Sequence, residues 1–242
     1  MATLTVFPDP NVEVSSVDGF AEISDAVWAT ARGAATGGSA SDSGGVYSTY
    51  CAADLNLGTY TITRTFWLFD TSALTAGATI SAAVASFAAA GGASTNADTT
   101  AMHIVASTPA SNTAITTADY DQIGSTTFGN ITIANWVTTN NTYNDITLNA
   151  SGLAAISKTG ITKFAGRLAL DLNDVAPTGN NYIGSGYFAD NAGTSSDPKL
   201  VITYTAPAGP ANVKTFNTIT LANTKIVNGI AIASVKTKSG IA

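Results

Sequence analysis

A single histidine, His103, and a single cysteine, Cys51, bound the covalent chemistry open to this chain. A Ser-His-Asp or Cys-His arrangement has to use His103. That residue falls inside the run Ala101-Met-His-Ile-Val105 and reads as an ordinary strand position facing solvent or a polar neighbour. No second histidine exists for a His-pair metal site. Cys51 reads as a small buried apolar residue, and one cysteine closes no intrachain disulfide. Paired carboxylates hydrolyse glycosidic bonds, but the 16 acidic residues are scattered. Asp70 and Asp197 stand where aspartate does turn work, and Asp18, Asp42, Asp98 and Asp121 are read as non-catalytic. No enzyme is expected and no cofactor is required. A structural calcium ion held by Asp and backbone oxygens in loops fits the composition, and no spacing locates it. Exposed aromatics are the usual sugar platforms, which makes Trp28, Trp67 and Trp136 candidates. Trp67 lies in the strongest strand and is read as packing between layers. Trp136, in Ala134-Asn-Trp-Val-Thr-Thr-Asn-Asn, is flanked by polar loop residues and is the candidate ligand contact.

The elements that must carry these residues are strands. Charged residues make up 11% of the chain, against about 25% in ordinary soluble domains, so Thr, Ser, Asn and Gly are expected at the solvent-facing positions. Such side chains suit strand faces and turns. In Thr59 to Phe69, Tyr60, Ile62, Phe66 and Leu68 share one face and Thr61, Thr63 and Thr65 the other. That is period 2 and not 3.6. After Asp70-Thr-Ser and Gly77, the run Ala78 to Phe87 alternates again until Gly91-Gly92. The two runs are expected to form a hairpin. Further strands are predicted over Thr3–Phe7, Ala101–Ala106, Asn130–Ala134, Asn144–Leu148, Gly166–Leu172, Tyr182–Ala189 and Lys199–Tyr204. Short helical turns are predicted over Thr117–Ile123 and Ser151–Ser157, with Asn149 or Ser151 as N-cap. Phe20–Arg32 reads as strand or Ala-rich helix, strand being favoured. Many short strands without βαβ alternation predict an all-β, antiparallel β-sandwich over residues 1–205.

A net charge of −6 excludes a nucleic-acid partner, which needs a clustered basic surface. No stretch is long and apolar enough for membrane insertion. The N-terminus has neither a basic segment nor an apolar run, so no signal peptide of the usual kind is expected. From residue 206 to 212 the composition turns to Pro, Gly and Ala, a semi-rigid linker. A repeat tail fills 213–242: Lys214, Lys225 and Lys236 recur at a spacing of 11, in phase with Asn217, Asn228 and Ser239 and with Ile219, Ile230 and Ile241. The Asn-Gly, Thr-rich and β-branched segments of these units favour a strand and a turn over a helix. Such units cannot bury their own Phe216, Ile219, Leu221, Ile226, Ile230, Ile232 and Ile241, and repeats of this kind are stabilised by stacking on neighbours. These residues are expected to drive oligomerisation or anchoring, in a symmetric homo-oligomer such as a trimer.

Three segments together resemble the jelly-roll modules called DNRLRE-type, which are themselves similar to carbohydrate-binding modules. They are Arg64 to Leu74 followed by Gly77 to Phe87, Asn144 to Leu148 leading to Gly166-Arg-Leu-Ala-Leu-Asp-Leu172, and Tyr187-Phe-Ala-Asp190 leading to Asp197 to Tyr204. They cover roughly residues 60 to 205 in the family's order, with a departure at Asp190-Asn191, where the family often has Ser-Arg-Glu. The tail unit Lys225 to Val235 is similar to C-terminal tails of bacteriophage structural proteins. The two resemblances imply a jelly-roll-like sandwich at a virion surface: a fibre, tail appendage or capsid decoration. Its partners would be its own copies, other virion proteins and cell-surface glycans. The alternative reading is a sugar-binding module or adhesin of a secreted microbial surface protein.

Overall fold

A run with no turn former until its last residue, Thr59–Asp70, makes the longest strand, and the rest of the architecture is arranged around it. The computed structural model describes residues 1–47, 50–91, 100–207, 226–227 and 230–231. In chain order these form β1 (Ala2–Val6), β2 (Asp18–Asp25), α1 (Trp28–Gly33), β3 (Ser39–Ser41), β4 (Val46–Tyr47), β5 (Cys51–Asn56), β6 (Thr59–Asp70), β7 (Thr79–Ala88), β8 (Ala101–Ala106), β9 (Gly129–Thr132) and β10 (Tyr143–Thr147). There follow α2 (Ala150–Ala155), β11 (Ile161–Leu168), α3 (Ala169–Asn173), β12 (Tyr182–Ile183), β13 (Gly186–Tyr187) and β14 (Lys199–Thr205), with β15 (Ile226–Val227) and β16 (Ile230–Ala231) in the tail. Among the described residues no helix is long and apolar enough to cross a membrane.

Two antiparallel sheets make the sandwich. One runs β1-β14-β7-β10, and the other runs β12-β5-β6-β11-β8-β9 with β2 on β6 and β3 on β2. β2 pairs with β6 from Tyr60 to Trp67, while β5 pairs with it up to Thr63 and β11 from Thr65 onward. Because a residue pairs once on each edge, β5 and β11 share the edge opposite β2. Both edges of β6 are thus filled, and the expected hairpin of β6 with β7 does not form. The chain instead leaves β6 through a 3-10 turn at Ser72–Leu74 and enters the opposite sheet, where β7 pairs with β14 and β10.

The sheets meet through aromatic side chains. Trp67 of β6 lies 4.1 Å from Phe87 of β7 by ring centroids, and Tyr50 packs on Trp67, Phe87 and Phe188 at 5.6, 6.2 and 5.1 Å. A Cβ on Gly166 would meet the Trp67 ring at 2.6 Å and one on Gly186 the Tyr50 ring at 2.2 Å, so glycine at these two positions is what admits the aromatics. The alternation of β6 is as expected, but its two central threonines are not solvent-facing. Thr63 and Thr65 are fully buried with Trp67. Thr63 Oγ1 donates to Glu22 Oε2 at 2.6 Å, and Thr65 donates to the Tyr50 carbonyl. These bonds let hydroxyls sit in the core at little cost. The opposite face of β6, carrying Arg64, is covered by α1 and by the segment around Tyr120, whose hydroxyl donates to the Ala31 carbonyl at 2.9 Å.

Three further expectations are corrected. Phe20–Arg32 is neither all strand nor all helix: Asp25 Oδ1 accepts from the Val27 amide at 2.7 Å, ending β2 and opening α1, so Trp28 is helical. The strand predicted over Gly166–Leu172 stops at Leu168 and continues as α3. Tyr182–Ala189 breaks into β12 and β13, where Gly186 abuts Tyr50. The predicted helical turns are present. Asn149 caps α2 by accepting from the Gly152 amide at 3.0 Å, and Thr116 and Asp119 form a capping box at Thr117–Asp119.

The chain divides into two compact units, Met1–Ala206 and Pro207–Ala242. In the second, Ile226–Val227 pairs antiparallel with Ile230–Ala231, a strand pair within one repeat unit. Phe216, Ile219, Leu221, Ile232 and Ile241 lie outside the described residues.

Candidate functional site

An arginine in the middle of a strand whose neighbours are all buried must bring its own counter-charge. Arg64 does so across the sheet. Its Nε donates to Asp171 Oδ2 at 2.9 Å and its Nη2 to Oδ1 at 2.8 Å. Arg167 grips the same carboxylate with Nε to Oδ2 at 3.0 Å and Nη2 to Oδ1 at 2.7 Å. Asp171 is fully buried and receives two forked pairs, the strongest geometry a carboxylate can accept. The break of β11 into α3 explains the match: one helical turn returns Asp171, four residues after Arg167, onto that arginine. Arg64 also stacks on the Tyr120 ring, 4.0 Å from its centroid, and donates to the carbonyls of Tyr120 and Arg32 at 2.9 and 3.1 Å.

A third arginine closes the group. Arg32, the basic residue in the last turn of α1, donates from Nε to the Asp171 carbonyl at 2.7 Å and pairs with Asp174 at 3.5 Å. Asp174 in turn accepts from Trp28 Nε1 at 3.0 Å, so this candidate sugar platform is spent on holding α1. Above the cluster opens a pocket of about 200 Å³ lined by Arg32, Gly33, Ala34, Arg64, Asp121, Ile123 and Arg167. Burial pushes the Asp171 carboxyl up, but the hydrogen bonds and charge of Arg64 and then of Arg167 more than reverse this and hold it below the usual range. His103 is likewise held below the ordinary imidazole range, first by burial and then by the nearby Arg167 charge.

A second carboxylate environment lies toward Phe188. Asp18, 2% exposed, accepts from the Ala189 amide, at 3.0 Å to its nearer oxygen. Burial raises its carboxyl well above the ordinary value, and the charges of Asp190 and Asp197 add to the rise. Asp197 is raised to about 6 by burial and then by Asp190. Among the described residues, no group of three or more His, Cys, Asp or Glu side chains is disposed to hold a metal ion.

The remaining candidates distribute as follows. Trp136 is not the exposed platform its polar neighbours suggested. It is 5% exposed, 6.2 Å from Tyr50 by ring centroids. A 3-10 turn at Ile133–Asn135 and the clasp of Val137 by the Asn144 side chain, at 2.7 and 3.0 Å, turn the ring inward while its neighbours face solvent. Trp67 is buried between the sheets, as expected. His103 is half-buried with Nδ1 3.0 Å from Thr127 Oγ1, and Cys51 is buried with its thiol pushed up by desolvation. Asp70 makes its turn by accepting from the Ser72 amide at 2.9 Å, and Asp42 accepts from the Ile115 amide at 2.8 Å. Asp98 lies outside the described residues. The arginine cluster itself was not anticipated as a site, although Arg64, Arg167 and Asp171 all belong to the segments that carry the jelly-roll resemblance. The available signal was Arg64 within an apolar strand in a chain with only 10 Lys and Arg residues. In comparisons with known proteins, no family model and no curated sequence matches the chain.

Proposed function

We propose that this chain is a non-enzymatic structural protein of a bacteriophage particle, a fibre, tail appendage or capsid decoration. In this reading the sandwich is an outward module at the virion surface and the tail oligomerises or anchors it, with its own copies, other virion proteins and host-surface glycans as partners. The observation that carries the reading is the division at Ala206 between a sandwich with a complete core and an 11-residue repeat, in sequence, of lysine, asparagine or serine, and isoleucine. Repeats of that kind are stabilised by neighbours, and closed symmetry is the common solution. The non-catalytic part of the reading is supported by His103, the chain's one imidazole, whose hydrogen-bond partner is a threonine. It is supported too by aspartates engaged with backbone amides and arginines.

Light scattering coupled to size exclusion on the full chain and on a 1–207 truncation tests it. The full chain is expected to run as a defined oligomer and the truncation as a folded monomer. Equal monomeric masses for both remove the role of the tail, and antibodies to the chain that fail to decorate purified particles remove the virion assignment.

A further inference from the structure

We propose that the arginine-lined pocket binds a small carboxylate that carries hydroxyl groups, the chemical class of the sugar acids, with Arg32 as the principal grip. The donor inventory points there. A guanidinium has five N–H groups. Arg64 uses four of them on Asp171, Tyr120 and Arg32, and Arg167 uses four on Asp171 and Gly124. In each the fifth, on Nη1, has no partner among the described residues. Arg32 donates only from Nε. Its Nη1 faces Asp174 at 3.5 Å, longer than the roughly 2.7–2.9 Å of a charge-assisted hydrogen bond, and its side chain is 28% exposed at the pocket rim. Three cations with unspent donors therefore line one cavity.

Charge and size narrow the ligand. The pocket wall carries three arginines against one carboxylate, Asp121. Asp171 beneath is saturated by its two forked pairs, and Asp174 is 61% exposed and screened by solvent. A monoanion suits this balance, whereas a dianion would set its second charge against Asp121. One Asp121 oxygen accepts from Gln122 at 2.6 Å, which leaves the other to accept a ligand hydroxyl. Ile123 offers an apolar wall to a C–H face. A volume of about 200 Å³ is below the roughly 300–1,000 Å³ of sites for drug-sized ligands, so one ring-sized unit fits. The biological meaning rests on the reading of the sandwich as an outward module; the binding itself does not.

Titration of the full chain at low ionic strength with sodium D-glucuronate, D-glucose, acetate and sulfate, followed by calorimetry and by arginine Nε–H resonances, tests the proposal. Glucuronate is expected to saturate, acetate to bind about tenfold more weakly, and glucose not to bind; Arg32→Gln is expected to cost glucuronate about tenfold or more at unchanged Tm. Asp121→Asn should narrow the gap between glucuronate and acetate. No saturation by glucuronate, equal binding by Arg32→Gln, or sulfate as tight as glucuronate overturns it. If Arg32→Gln does not fold, the Asp121→Asn titration decides, since a gap left unchanged there also overturns it. A monomeric full chain would sink the tail reading while leaving this outcome untouched.

Discussion

Asp171 and Asp18 are equally hidden from water, at 0% and 2% exposure, and their carboxyls are shifted in opposite directions. Asp171 meets two guanidiniums through four hydrogen bonds and is held below the ordinary carboxyl range despite its burial. Asp18 meets one backbone amide and the charges of Asp190 and Asp197, and it is pushed well above that range. Burial disfavours the charged form in both; what differs is whether the fold supplies a cation. One region keeps its charge and can turn positive field outward into a pocket. The other, with no cation at hand, has its carboxyl pushed up by burial and by like charges.

The most severe way to break this contrast is to remove the partner from the arginines. Asp171→Asn keeps the shape but offers one acceptor oxygen where two were gripped, and it leaves Arg64 and Arg167 buried without counter-charge. A loss of about 3–5 kcal/mol is expected, read by chemical denaturation at pH 7. A loss under about 1 kcal/mol would show that the cluster is solvated and behaves like a surface ion pair.

The opposite sign is expected at Asp18. A carboxyl whose folded pKa is raised contributes stability that is complete below the unfolded value of 3.8 and is lost as pH rises through the folded value. Asp18 acts in that sense, and so do Asp54 and Asp197, each raised to about 6. Asp171, with a lowered value, contributes stability that is present above 3.8 and lost as pH falls through its folded value. The chain is therefore expected to gain stability from pH 7 toward pH 5 and to lose it again well below pH 4. Asp18→Asn, which removes the burden of a buried carboxylate, should stabilise the protein at pH 7, with the gain fading toward pH 4. A destabilised variant at pH 7 would mean that Asp18 is charged and paired after all.

Such contrasts explain which parts of the molecule were legible in the sequence. Period 2 in Thr59 to Phe69, the Asp70 turn and the Asn149 cap are local decisions, made by side chains within a few residues, and they read correctly. The pairing of β6 with β2, β5 and β11 in place of β7 is decided by which edges are already filled, and β5, with its Cys-Ala-Ala-Asp-Leu-Asn, gives no alternating signal. Trp136 misled because exposure was inferred from neighbours in sequence, while its ring is placed by Tyr50 and the Asn144 clasp. Arg64, Arg167 and Asp171 were visible as residue types, and the spacing of four from Arg167 to Asp171 was on the page. What closed the cluster was a helical turn after Leu168 and a strand over a hundred positions earlier, neither of which local pattern records.

The smallest expected effect marks the outer limit of the same comparison. Asp174 is a partner of Arg32 like Asp171, yet it is 61% exposed and 3.5 Å away. It also sits at the end of α3 in the left-handed conformation, with φ 57°, where Asn is as well accommodated as Asp. Asp174→Asn keeps an oxygen for Trp28 Nε1 and removes only a screened charge, so its cost should stay within about 0.5 kcal/mol and vanish in high salt. A larger, salt-independent loss in the same denaturation assay would show that Arg32 depends on both aspartates, and that the charged region reaches the surface as one network.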